Sequence, residues 1–244
     1  MVTPPTTERG TPRAPADTPA SAWVRLRPIL SSAWTLGVLV AIASWNVVFG
    51  TAGVGLDPSW SAGMYMAADL GLDFGSQIIW TYGPLGFLQI SSTYYSDLAT
   101  LSFCWRALLL LAYCLSLVWA LRRSFGAPIA AAVTFITVTA LPSTFTVLTL
   151  PTVWCLATLA KDPPPFAARL VSVGGGAFGA LECLVRLSFG PTILLMCAAT
   201  LLVLPGRRRE LAIFAGTAVA VFAVLWFATG QGMGNFPDFV RSAA

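Results

Sequence analysis

Between Ser124 and Ala160 the chain runs for 37 residues without a charged side chain. As one helix rising 1.5 Å per residue, that run would reach about 55 Å, against a bilayer hydrocarbon core of about 30 Å. It must fold back on itself. Leu141-Pro142-Ser143 is the natural break, and Pro151 falls inside the second half, where a ring without an N–H disturbs the helical ladder. Only 10% of the residues are charged and 57% are hydrophobic, whereas a soluble domain carries roughly 25% charged residues. The chain reads as an all-α integral membrane protein, because in lipid the helix satisfies its own backbone.

The same reasoning along the chain predicts about seven transmembrane helices. Residues 1–27 form a Pro/Thr/Ala-rich tail with Arg9, Arg13, Arg25 and Arg27, too polar to bury a core and expected to be disordered. The membrane domain follows over 28–244, with spans near 29–48, 101–121, 125–140, 143–160, 170–188, 192–204 and 211–228. The first apolar run is longer than the roughly 7–15 residues of a signal-peptide core, so it reads as a span and not a cleaved leader. Of the 14 basic residues, 11 fall in the tail or at Arg122-Arg123, Lys161, Arg169 and Arg207-Arg208-Arg209. By the positive-inside rule these positions are cytoplasmic. The N-terminus is then inside, the C-terminus outside, and the loop over about 50–100 external, as in a multi-pass plasma-membrane protein. Arg106, near the outer end of the second span, is expected to snorkel to the headgroups.

Several functional classes are excluded at once. The basic residues are dispersed between apolar runs, which is no nucleic-acid footprint. The five cysteines lack CxxC spacing and the chain has no histidine, so no zinc site is implied. There is no GxxxxGK phosphate cradle, no GxGxxG after a strand and no Gly-x-Ser-x-Gly elbow.

The external loop carries Asp57, Asp69, Asp73 and Asp97 and no basic residue. In Gly55-Leu56-Asp57-Pro58-Ser59-Trp60, Asp57 can cap a helix whose first turn accommodates Pro58. Trp60, Met64, Ala67 and Ala68 then share a face that Gly71 closes, a short amphipathic helix lying on the membrane surface. Asp57 either only caps that helix or also takes a proton from an acceptor hydroxyl. Thr81-Tyr82-Gly83-Pro84-Leu85-Gly86-Phe87 is a sharp turn that either anchors the interface or walls a substrate pocket, with Tyr82 offering ring and hydroxyl. Glu182 and Arg186 are spaced for a helical ion pair. Ionisable groups at that depth suggest function, and Arg186 suits a lipid phosphate. Asp69 and Asp73 read as solvated loop acids, or as weak ligands for a divalent cation. No other cofactor is implied.

A first span, a long external loop opening with an acid, a surface helix and a Tyr-Gly-Pro-Leu turn before the second span resemble the GT-C glycosyltransferases. That superfamily includes the protein O-mannosyltransferases and the aminoarabinose transferases. More closely, Gly55–Trp60 with Phe74-Gly75 and Thr81–Phe87 resembles a bacterial branch of multi-span proteins. The resemblance implies a polyprenyl-phosphate sugar as donor, a single inverting displacement, and Asp57 as the acid that orients or deprotonates the acceptor. Trp60, Tyr82, Arg186 and Glu182 are the expected substrate-binding set. Many members carry two adjacent acids where this chain has Asp57-Pro58. They are also usually longer, and Asn235–Phe239 is expected to open a further external segment. The alternative is a non-catalytic multi-span protein serving transport or assembly.

Overall fold

The computed structural model describes residues 32–48, 50, 55–78, 81–90, 92 and 94–242, without the side chains of Asp57, Ser143 and Ser242. The expected tail therefore lies outside the described residues. Helix α1 spans Ala33–Ala43, begun by Ser32, whose hydroxyl accepts from the Thr35 N–H. Helix α2 (Leu56–Asp69) and a 3-10 turn (Gly86–Gln89) belong to the loop. Then come α3 (Ser96–Leu121), α4 (Ala127–Ala140), α5 (Ser143–Leu159), α6 (Ala167–Val185), α7 (Gly190–Leu202), α8 (Arg207–Ala228) and α9 (Phe236–Ser242). Among the described residues there are isolated bridges but no strand.

Three of these helices, α3, α6 and α8, are long and apolar enough to cross a membrane by length and composition. Helices α1, α4, α5 and α7 are apolar but shorter. The 37-residue run does fold back, with Leu141 and Pro142 separating α4 from α5 and Pro151 inside α5. Helix α8 shows why the environment is apolar: Val219, Val224 and Phe227 are each more than half exposed. So are Trp34, Ile42, Leu108, Ile136 and Leu195 on other helices. Apolar surface this extensive marks contact with lipid or protein rather than water.

The bundle is built outward from α6. It packs on α7 and α8, α7 on α5, α5 on α3, and α3 on α1 and α4. The main core joins Leu110, Tyr113 and Cys114 of α3 to Leu150 and Trp154 of α5, Phe178 of α6 and Ile193 and Cys197 of α7. The first half of α6 is not regular, because Leu170–Gly175 forms a π-turn. There Ser172 donates to Glu210 of α8 at 2.7 Å, and Glu210 also pairs with Arg169 at 3.5 Å.

The helices run alternately, so their connections gather at two ends. One end carries the Arg122–Gly126, Ala160–Phe166 and Val203–Gly206 connections, where Arg123 donates to the Asp162 carbonyl. The other end carries the loop, the α4–α5 and α6–α7 turns and the C-terminal segment. The basic turns and the acidic loop are thus on opposite ends of the molecule.

Candidate functional site

Helix α2 starts two residues earlier than a cap at Asp57 would allow. Gly55 occupies the cap position and gives no side-chain bond, so Asp57 sits inside the first turn. Its carboxyl lies outside the described residues. The helix ends as expected: Leu72 N–H bonds the Ala67 carbonyl at 3.0 Å and Gly71 N–H that of Ala68 at 3.3 Å, with Gly71 at φ +60°. This paired closure needs the left-handed conformation that glycine adopts without strain. Met64 and Ala67 are buried and Trp60 packs beside them, so the amphipathic face is real. Tyr65, on the neighbouring stripe, is fully buried; its hydroxyl donates to the Ile90 carbonyl and accepts from Ser92 N–H.

The turn after Thr81 docks on the end of α6. A helix leaves its last carbonyls without partners, and here the turn supplies them. Gly83 N–H bonds the Val185 carbonyl at 3.2 Å, Leu85 N–H that of Leu184 at 2.9 Å, and Leu187 N–H returns to Thr81 at 3.0 Å. Only glycine fits at 83, since a Cβ there would lie 2.3 Å from the Leu184 oxygen. Arg186, bridged to Tyr82, has left the helix at φ −148°, ψ 111°.

That departure separates Glu182 from Arg186, and the expected helical ion pair does not form. Arg186 turns to the loop, its guanidinium carbon 5.3 Å from the Tyr82 ring centre and 4.5 Å from that of Phe189. Trp60 stacks on Tyr82 with centroids 5.2 Å apart and planes at 29°. Trp60, Tyr82 and Arg186, three residues singled out in the sequence, therefore form one column at the loop end. Phe189 completes it without having been anticipated. Glu182 points elsewhere. It is 0% exposed and lines a cavity of about 40 Å³ with Gln89, Arg106 and Thr144. Arg106 is half-buried at that cavity and at a second one beside Asn46 and Thr146, so it turns inward instead of snorkelling.

Asp69 and Asp73 differ in their surroundings. Asp69 is exposed, whereas Asp73 accepts from the Asn235 amide at 2.5 Å. No three His, Cys, Asp or Glu side chains cluster as a metal site among the described residues. The segment after α8, expected to open a further external segment, folds back onto the loop. Gln231 accepts from Phe74 N–H at 2.8 Å and donates to the Leu72 carbonyl at 3.0 Å. Phe239 is buried with Phe74 and Trp226.

Three larger cavities of about 370, 380 and 340 Å³ lie along the bundle and beside α2. Their linings are mostly apolar and include none of Trp60, Tyr82 or Arg186. Comparison with known protein families, with curated proteins and with solved structures finds no match.

Proposed function

We propose that this protein is a membrane glycosyltransferase of the GT-C type. It would move a sugar from a polyprenyl-phosphate carrier to an extracytoplasmic acceptor, with inversion at the anomeric carbon. Seven segments cross the plasma membrane in this reading, with the N-terminus cytoplasmic, the C-terminus outside and the loop at the outer face. The observation that carries it is the Trp60–Tyr82–Arg186 column. Aromatic faces suit the apolar side of a sugar ring, and a guanidinium suits a phosphate. Asp57 lies three residues before Trp60 on the same helix. Its assigned role is to accept the proton of the acceptor hydroxyl, a contribution of typically 10²–10⁴-fold in rate.

The test is sugar transfer by the full chain in nanodiscs supplied with polyprenyl-phosphate sugars. Asp57→Asn is expected to lower turnover by at least about 10²-fold with donor binding retained, and Arg186→Gln to weaken donor binding. Transfer surviving Asp57→Asn removes that residue from its role.

One observation favours the alternative of a non-catalytic membrane protein. The cavities large enough for a lipid-linked sugar are not lined by the column, and Arg186 already has two rings to hold. In that reading Arg186→Gln changes stability alone and no donor binds.

A further inference from the structure

Beneath the loop, the orphaned polar atoms of the described structure concentrate at one place. Both carboxyl oxygens of Glu182 and both amide atoms of Gln89 are buried with no hydrogen-bond partner among the described residues. These side chains come from α6 and from the 3-10 turn, and they meet at the same cavity as Arg106 of α3 and Thr144 of α5. Leaving one such group unsatisfied is strongly unfavourable, and four atoms at one spot point to a shared partner. The helical neighbour that would compensate Glu182, Arg186, has been drawn away to Tyr82 and Phe189. Among the described residues no other acid lines the cavity; Arg106 supplies its positive charge and Thr144 a hydroxyl. The volume, about 40 Å³, exceeds the roughly 10–15 Å³ that one water requires, and a water needs two to four polar partners.

We infer that this cavity is an internal water site joining Glu182 and Gln89 to Arg106. Bridging water supplies hydrogen bonds nearly as good as direct ones. It therefore links the carboxyl of α6 to the guanidinium of α3 through the amide of the loop. The 3-10 turn is thereby tied to the bundle from below, while Gly83 and Leu85 hold it from the side. The inference is independent of any transferase activity.

Hydroxyl-radical footprinting of the full chain in nanodiscs reads the site directly, because radicals formed from bound water oxidise the side chains beside it. Val185 and Leu88 line the cavity and are 1% and 5% exposed, whereas Val171 is 0% exposed and lines none of these cavities. Modification at Val185 and Leu88 but not Val171, lost in Gln89→Leu, is expected. A native protein unmodified at both positions has a dry cavity, and the inference fails. A thermal double-mutant cycle is the second measurement. Arg106→Gln and Glu182→Gln should each lower the unfolding midpoint, and the double variant by less than their sum. Additive shifts would show that the two groups are not joined. A midpoint that rises with sodium in the native chain but not in Glu182→Gln would make the site a cation site and overturn the assignment to water.

Discussion

The two ends of this bundle treat their polar groups in opposite ways. At the basic end, Arg207, Arg208 and Arg209 are exposed, and Arg169 pairs with Glu210 while remaining 45% accessible. At the loop end, polar groups are drawn inward: Glu182 and Gln231 are buried, and the last carbonyls of α6 are met by a turn from far earlier in the chain, at Gly83 and Leu85. Charges at the first end need only water or headgroups. Those at the second depend on particular neighbours, so the loop end is where substitutions should matter and where a site can be held in register.

That contrast can be broken most sharply at Gly83. Adding a methyl pushes against the Leu184 carbonyl with no flexible side chain to yield. Gly83→Ala should destabilise by about 1–3 kcal/mol or more, read as a lowered unfolding midpoint in detergent with loss of the Trp60–Tyr82 stack. Gln231→Ala comes next. It leaves the buried Phe74 N–H without its acceptor at a cost of about 1–3 kcal/mol, and protease should then cut the 70–78 segment faster. Arg186→Met removes the cation from two aromatic faces, expected at about 0.5–2 kcal/mol. Arg186→Lys should recover part of that if charge matters, and none if the planar guanidinium does. Smallest is Arg169→Ala at the basic end, where an accessible pair contributes roughly 0.2–1 kcal/mol. A midpoint shift there as large as that of Gly83→Ala would erase the distinction between the ends.

How much of this was readable in advance follows the same division. Much of what depends on neighbours in sequence was legible, although the cap of α2 falls on Gly55 and not on Asp57. Pro142 breaks the long apolar run, Gly71 closes α2, and Trp60, Met64 and Ala67 share its inner face because each effect spans only a few residues. The loop end was legible in part. Tyr82 and Arg186 could be named as interesting, yet nothing local shows that residues 104 positions apart form a bridge. That bridge ends α6 at Val185, which is why four-residue spacing failed to deliver the Glu182–Arg186 pair. Arg106 misled for a related reason: snorkelling assumes a helix end facing lipid, whereas this part of α3 faces α5 and the loop. Gln231, 157 residues from its partner at Phe74, gave no local signal at all.

One detail of α6 has a wider bearing. A single π-turn amounts to one residue more than a regular helix would hold, and each residue advances a helix by about 100°. The widened stretch at Leu170–Gly175 therefore sets the azimuth of everything downstream independently of what is anchored upstream. Arg169 and Ser172 can keep their grip on Glu210 while the outer half of the rod presents Glu182 to the interior. Deleting one residue from the widened stretch should restore a regular helix and leave that carboxyl facing inward, whereas the same deletion just beyond it, in Gly176–Ala180, should turn the carboxyl by about 100° away from the interior. A change of residue number outside that stretch, more than any side-chain exchange, is thus what this helix tolerates least.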